Sequence, residues 1–103
     1  MNARHIFFDI IIVNYNSTEY LLSCIRSVRA GLNGLAVRIH VEDNGSTDGV
    51  ERLRLNFPEV RLSENETNKG YSRSVNDALK KCRAPYTVLL NPDTCFLGGS
   101  LKD

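Results

Sequence analysis

Three short apolar runs in this chain each end in a cluster of Asn, Asp, Gly and Ser residues. The segments that contain a run and its cluster are 10–17, 37–49 and 88–94. Apolar runs of this length, bounded by turn-forming residues, are typical of buried strands. The carboxyl ends of parallel strands lie at one edge of a sheet, where open α/β sheets bind ligands. The pattern therefore predicts an α/β fold in which several polar loops face one crevice.

Helical patterns lie between the strands and complete the predicted order β-α-β-α-β-α-β. The strands are predicted at residues 6–14, 36–41, 60–63 and 86–90, the third being a short edge strand. Apolar residues at helical spacing define three buried helix faces: Leu21, Ile25, Val28 and Leu32; Val50, Leu53 and Phe57; and Tyr71, Val75, Ala78 or Leu79, and Cys82. Such short connections predict right-handed crossovers. The expected fold class is a Rossmann-like, mostly parallel sheet with helices on both faces.

Capping residues predict where the first two helices begin. Asn16 or Ser17 is expected to cap the first helix. Ser46 or Thr47 is expected to cap the second helix, and Asp48 is expected in its first turn, where the helix dipole favours an acid.

Length and composition fit one globular domain that is small for a complete α/β enzyme. The chain has 103 residues, of which 42% are hydrophobic and 24% are charged. A formal net charge of +1 gives no electrostatic reason to expect nucleic acid or an anionic membrane as a partner. Residues 98–103 resemble the beginning of another element, so we expect a truncated domain.

Cysteine usage and the N-terminal sequence predict a cytoplasmic protein. Cys24, Cys82 and Cys95 are odd in number and lack metal-site spacing, which predicts free thiols in a reducing compartment. Asp9 interrupts the first apolar run and no cleavage site follows it, so we expect a buried strand rather than a signal peptide. A peripheral position of the intact protein at the inner membrane face is the alternative. The isolated His40, in the middle of a strand, is expected at the surface.

Residues that follow the predicted strands are candidates for ligand contacts, and each has a purely structural alternative. Asp93 offers a hard oxygen ligand for Mg²⁺ or Mn²⁺, although Asn-Pro-Asp is also a common turn sequence. Tyr15 could stack on a base or pack against the sheet. Asp43 could accept hydrogen bonds from a base or a ribose, or it could only shape its turn.

The beginning of the third helix is a candidate phosphate site. Asn68, Lys69 and Gly70 open this helix, so its free N–H groups, with Lys69 or Arg73 nearby, could face a phosphate. Ordinary capping with solvated charges is the structural alternative. Together, the loops suit a nucleoside diphosphate held through a metal ion.

Four segments, taken in this order, resemble glycosyltransferase family 2, and most closely its rhamnosyltransferase-like branch. The segments are Ile-Ile-Ile-Val-Asn-Tyr-Asn-Ser at 10–17, Val-Glu-Asp-Asn-Gly-Ser-Thr-Asp-Gly at 41–49, residues 65–76 through Asn68, Gly70, Tyr71 and Asn76, and Leu-Leu-Asn-Pro-Asp at 89–93. The resemblance implies the GT-A fold of nucleotide-diphospho-sugar transferases. Ser72 and Ser74 depart from the family pattern, where alanines are usual.

The resemblance also implies what the chain does. It implies inverting transfer of a sugar, of the hexosyltransferase type, from a UDP- or dTDP-sugar to a hydroxyl of a carbohydrate or lipid-linked saccharide. Tyr15 would stack near the base, Asp43 would bind it, and Asp93 would hold Mg²⁺ or Mn²⁺ on the diphosphate. The nucleotide-binding residues implied are Asn14, Tyr15, Asn16, Asp43, Asn44, Gly70, Arg73 and Asn91.

The resemblance makes residues 1–103 the N-terminal, donor-binding part of the domain, without its acceptor part. No catalytic residue is expected in this part, because the family's general base and acceptor-binding segments lie further along the chain. We therefore expect residues 1–103 to be inactive alone. An unpaired sheet edge in such a part also predicts a homodimer.

Two other function classes compete with the glycosyltransferase. A receiver-like regulatory domain would have acids after its first strand, where Asn14, Tyr15 and Asn16 stand here. A nucleotidyltransferase would have a basic, glycine-rich loop at the same place, and residues 14–19 contain neither a glycine nor a basic residue.

Overall fold

A computed structural model describes residues 6–32 and 36–94, and its elements follow the predicted order. They are β1 (Phe8–Asn14), α1 (Thr18–Gly31), β2 (Val37–Asp43), α2 (Arg52–Asn56), β3 (Arg61–Glu64), α3 (Tyr71–Leu79) and β4 (Tyr86–Leu90). The strand ends differ from the predicted ones by at most two residues. Cys95 and the segment 98–103 lie outside the described residues.

The four strands form one parallel sheet in the order β3-β2-β1-β4. β1 pairs with β2, which places Asn14 opposite Asp43, and with β4, which places Ile12 opposite Leu90. β3 is an edge strand, as predicted, and β4 is the other edge within the described part of the chain. Because all pairs are parallel, the carboxyl ends of the four strands lie side by side. They form one edge of the sheet, which runs across the strand ends and is distinct from the edge strands β3 and β4. The α/β class is confirmed.

One face of the sheet carries the apolar core. Ile10 and Ile12 of β1 pack there with Ile39 and Val41 of β2. The same cluster contains residues of α1 and α2 and of the turns beside them, each at most 5% exposed: Leu21, Ile25, Val28, Leu32, Val50, Leu53 and Phe57. The buried faces predicted for the first two helices are therefore confirmed.

The third helix lies against β1 and β2, on the side opposite this core. Val75 and Ala78 are its predicted apolar residues that are buried. Tyr71 and Leu79 are 51% and 44% exposed, so the predicted stripe is narrower than its spacing indicated. Cys82 lies beyond the helix end and is half-buried.

The sheet face below α3 contains a buried acid–base pair, and the prediction that His40 lies at the surface is wrong. His40 is 1% exposed, and its Nε2 lies 2.7 Å from Oδ1 of Asp9, which is 0% exposed. Both faces of a parallel strand are covered, so alternation of polar and apolar residues does not indicate a wet face here. Oδ2 of Asp9 accepts hydrogen bonds from the backbone N–H groups of Arg83 and Ala84, at 2.7 and 2.8 Å.

A second polar contact lies on this face, between β2, β3 and the turn after α3. Glu42 is 1% exposed, and its Oε2 lies 3.0 Å from Nζ of Lys81. The same ammonium donates to Oγ of Ser63 at 2.7 Å. Lys81 thereby provides a partner for a buried carboxylate that would otherwise be strongly destabilising.

Within the described residues, no helix combines the length and the apolar character that crossing a bilayer requires.

We expect Asp9→Ala to lower the free energy of unfolding by about 3 kcal/mol, because it leaves a buried imidazole and two partly buried backbone N–H groups without their partner. Chemical denaturation measures the change. Asp77→Ala is the matched control, since Asp77 pairs with Lys69 at a partly exposed position. Equal stability of the two variants would contradict a structural role for the Asp9–His40 pair.

The contribution of Asp9 should depend on pH in acid. Burial disfavours the Asp9 carboxylate, but the hydrogen bonds from His40, Ala84 and Arg83 outweigh it, so its pKa lies below the ordinary 3.8. A lowered pKa gives stability that is fully present above pH 3.8 and is lost as the pH falls through the lower, folded-state value. The stability difference between the parent and Asp9→Ala should therefore shrink below pH 3.8 and stay constant just above it.

Candidate functional site

The ends of β1, β2 and β4 bring the predicted loops together at one edge of the sheet. Asn14 and Asp43 are register partners, and the β1–β4 register, continued by two residues, puts Pro92 level with Asn14. Neighbouring strands are about 4.8 Å apart, so Asp43 and Pro92 flank Asn14 at about 10 Å from each other. Sγ of Cys24 in α1 lies 3.9 Å from the carbonyl oxygen of Asn91.

A buried carboxylate organises the first two loops. Asp43 is 1% exposed, and its Oδ1 accepts hydrogen bonds from Nδ2 of Asn14 at 3.0 Å and from Oγ of Ser46 at 2.7 Å. Its Oδ2 accepts the backbone N–H of Ser46 at 2.9 Å. Both oxygens are therefore used within the protein, which is the turn-shaping alternative considered for this residue. A contact between Asp43 and a base stays a prediction.

Asn16 joins the loop after β1 to the loop after β2. Its backbone has a φ of 50°, in the left-handed region that asparagine tolerates better than most residues. Its N–H donates to Oγ of Ser46 at 2.8 Å, and its Oδ1 accepts the N–H of Thr47 at 2.8 Å. The predicted nucleotide-binding side chain of Asn16 thus holds two loops in place.

Asn44 extends this network to the third helix. Its N–H donates to the carbonyl of Asn14 at 2.9 Å. Its side-chain Oδ1 accepts hydrogen bonds from Nδ2 of Asn65 at 3.1 Å and from Oγ of Ser74 at 2.9 Å. Ser74 is 0% exposed, so the serine that departs from the family pattern is a buried partner of Asn44.

The N-terminus of α1 is capped by a distant residue, so both predicted caps are wrong. Ser17 makes no side-chain capping bond. Oδ2 of Asp48 accepts the N–H of Thr18 at 2.9 Å, and Oδ1 accepts its hydroxyl. Desolvation alone would raise the pKa of Asp48, but its hydrogen bonds, chiefly those from Thr18, together with the nearby charge of Arg52 outweigh it and lower the pKa. The second helix begins only at Arg52, several residues after the Ser46 and Thr47 predicted to cap it.

The remaining predicted residues are exposed around this network. Tyr15 is 51% exposed, and Gly70, with a φ of 89°, ends the loop that leads into α3. The other exposed members are Arg73, Asn91 and Asp93. The site has two layers: buried polar residues that hold the loops, and exposed residues that are free to meet a ligand.

Comparison with known proteins identifies the family. The sequence profile described as Glycosyl transferase family 2 matches residues 9–103. The chain belongs to glycosyltransferase family 2. No curated protein is significantly similar to it. The predicted family is therefore confirmed, whereas the match does not distinguish the rhamnosyltransferase-like branch.

Solved structures show the same fold. S. aureus TarS in complex with UDP-GlcNAc has a TM-score of 0.81 and 25% identity, over 95% of this chain and 30% of that chain. TarS 1-349 alone has a TM-score of 0.77 and 28% identity, over 95% and 31%. The mannosyltransferase PcManGT from Pyrobaculum calidifontis, in complex with GDP-Man and Mn²⁺, has a TM-score of 0.72 and 19% identity, over 87% and 28%. This family 2 chain thus spans about a third of the length of these structures.

The turn after β4 fits the metal role that the family implies. The N–H of Thr94 donates to the carbonyl of Asn91 at 3.0 Å, which closes a turn with Asp93 inside it. The exposed Asp93 carboxylate makes no hydrogen bond or ion pair with another described residue, so it keeps its oxygen ligands available. Hard oxygen ligands suit Mg²⁺ and Mn²⁺.

Three polar residues have roles in the site that the sequence does not predict. Ser46, Asn65 and Ser74 hold the loops through side-chain hydrogen bonds. Short polar side chains in loops favour such bonds, but sequence alone does not identify their distant partners. Tyr71, at the start of α3, is also 51% exposed. Its helical spacing predicts a place in the buried stripe, but spacing alone does not show that the first residue of a helix can lie outside the core.

We expect Asp43→Asn to lower the free energy of unfolding by about 1–3 kcal/mol, because an amide group would then face a hydrogen-bond donor in a buried position. Chemical denaturation measures this. Asp93→Asn is the matched control, because that carboxylate is exposed and has no described partner. If Asp43→Asn has the same free energy of unfolding as the parent protein, the turn-shaping role of Asp43 is wrong.

Proposed function

We propose that this chain is the donor-binding part of an inverting glycosyltransferase that uses a nucleotide-sugar. One observation carries the proposal: in this family 2 chain, the loops after β1, β2 and β4 meet at one edge of the sheet. Buried Asn14, Asp43 and Asn44 fix the loops after β1 and β2. Tyr15 is exposed on the first of these loops, and Asp93 is exposed in the turn after β4. Residues 1–103 would supply this half, and further chain would supply the acceptor half.

A UDP- or dTDP-sugar is the donor that we infer. TarS has been solved in complex with UDP-GlcNAc, where it is similar over 95% of this chain, and with UDP, where it is similar over 85%. The half-exposed ring of Tyr15 offers a surface on which a pyrimidine can stack. Gly70 and Arg73 are exposed at the start of α3, which the buried Asn44 ties to β2 through Ser74. We infer that the acceptor is a hydroxyl of a carbohydrate or lipid-linked saccharide.

The site residues have separate proposed roles in binding the donor and in positioning the loops. Asp93, with Asn91 beside it, would hold a divalent ion, which when bound neutralises charge on the diphosphate leaving group. Arg73, at the start of α3, would place a positive charge near the phosphates. Asp43 acts mainly through Asn14 and Ser46, because its carboxylate is occupied by them. Its predicted contact with the base would be indirect.

The reaction also needs a general base, which we place outside residues 1–103. An acceptor hydroxyl must lose a proton as it attacks the anomeric carbon from the side opposite the leaving group. The buried acids Asp9 and Glu42 lie on the α3 face of the sheet, where their carboxylates already contact His40 and Lys81. The receiver-like and nucleotidyltransferase alternatives are set aside by the family match over residues 9–103.

We expect UDP to bind more tightly with Mn²⁺ than with a chelator, and Asp93→Ala to remove that difference by deleting a metal ligand. Isothermal titration calorimetry measures both. Tyr15→Ala should weaken binding about tenfold with or without Mn²⁺, since a stacking contact contributes about 1–3 kcal/mol.

Glu59→Ala is the control for the loss of one carboxylate, because Glu59 pairs with Arg29 away from this edge. If Asp93→Ala keeps the full response to Mn²⁺, the metal role of Asp93 is wrong. If the parent binds UDP equally well with and without metal, the proposed divalent ion is wrong, whereas the proposed nucleotide site is supported.

We also expect residues 1–103 to associate and to transfer no sugar. β4 is an edge strand of the described sheet, and its Tyr86 and Leu89 are 57% and 48% exposed. Unpaired edges with apolar side chains promote pairing between copies. Light scattering should show dimers that Leu89→Lys dissociates, with Leu55→Lys, on the exposed side of α2, as the control. A monomeric parent that turns over donor would contradict both expectations.

A further inference from the structure

A second group of ligand-type side chains lies away from the candidate nucleotide site. A carboxylate oxygen of Asp9, a ring nitrogen of His40 and Sγ of Cys82 all lie within 4.8 Å of one another. Asp9 is near the beginning of β1 and Asn14 is at its end, so about 16 Å of strand separates the two places. Asp9 and His40 are buried, and the half-buried Cys82 leaves the group reachable from one side.

The backbone orients the Asp9 carboxylate. Its Oδ2 is held by the N–H groups of Arg83 and Ala84, which leaves Oδ1 directed at His40. Proteins commonly orient a metal-binding carboxylate through such hydrogen bonds to its other oxygen. Arg83 and Ala84 directly follow Cys82 in sequence, so the same turn brings the thiol to the carboxylate.

Within the described part of the chain, the His40 ring has one nitrogen without a partner, and the position of the ring proton decides whether Nε2 can bind a cation. Its Nδ1 is buried and has no hydrogen-bond partner among the described residues, although buried polar atoms normally have one. If the ring proton is on Nδ1, then Nε2 and Oδ1 of Asp9 present lone pairs to each other. A cation between those atoms stabilises that arrangement.

We propose that Asp9, His40 and Cys82 bind a divalent transition ion of the zinc class. Oxygen, nitrogen and sulfur are the ligands that Zn²⁺ takes, and three of them leave a fourth position for water. Ligand atoms around a tetrahedral ion lie about 3.4–3.7 Å apart, so the Asp9–His40 contact must open by about 1 Å or less. The Cys82 thiol gives its proton to solvent when its sulfur becomes a thiolate ligand.

This site is independent of the proposed sugar transfer. Asp93 offers exposed oxygen ligands suited to Mg²⁺ or Mn²⁺, whereas the Asp9 group is mixed and contains a sulfur, which favours Zn²⁺ and Co²⁺. The group also joins β1, β2 and the α3–β4 turn, so the bound ion would link three parts of the chain.

Cobalt titration of the full chain tests the proposal. We expect one equivalent of Co²⁺ to give a sulfur-to-cobalt charge-transfer band, and Zn²⁺ to abolish it by displacement. Cys82→Ser should remove the band and weaken Zn²⁺ binding at least about tenfold. Cys24→Ser, the same change at a buried cysteine of α1, should retain both the band and the affinity.

His40→Gln is the second variant, and it should also weaken Zn²⁺ binding at least about tenfold. Circular dichroism of each variant shows whether it is folded, and the half-buried Cys82 position tolerates serine even if His40→Gln unfolds. Two results would overturn the proposal: no cobalt band in the parent, or a band that persists in Cys82→Ser. Either would assign the group to hydrogen bonding alone.

Discussion

The hydrogen bonds of the Asp43 carboxylate connect the ends of the two neighbouring strands β1 and β2. Asn14 donates to it from β1, and Ser46 donates twice from the loop that follows β2. Because these donors are buried or nearly so, the loss of the acceptor would leave several polar groups unsatisfied at once. Asn16 and Asn44 attach the surrounding loops to the same centre. This network holds the loops after β1 and β2 and ties them to the start of α3.

Much of the fold could be predicted because hydrophobic periodicity reports burial directly. The stripes through Leu21 and Leu53 and the strand at residues 86–90 needed no information beyond local spacing. The failures involve polar residues whose partners are distant in sequence. His40 was placed at the surface because its partner, Asp9, is thirty-one positions away, and nothing local identifies such a pair. The same limitation concealed Ser74 as the partner of Asn44.

For the candidate site, the sequence predicted which residues lie at the same edge of the sheet. It did not predict which of them are buried and which are exposed. Parallel topology follows from the element order, and topology alone brings Asn14, Asp43 and Asp93 to one side of the sheet. Whether a carboxylate is occupied by the protein or available to a ligand depends on the loop conformation. The carboxylates of Asp43 and Asp93 both lie at or just after the end of a strand, yet Asp43 is buried with both oxygens bonded and Asp93 is exposed.

Asp48 caps a helix that begins thirty residues earlier in the chain. The first turn of α1 therefore lacks its acceptor until β2 has paired and its loop has closed. An isolated α1 peptide should fray at Thr18, and the helix should become complete late during folding, together with the β1–β2 pairing. A contact of this sequence separation adds loop-closure entropy that slows folding, but it also makes the helix and the two strands cooperative. The domain is thus expected to lose α1 and the loop network in one transition rather than element by element.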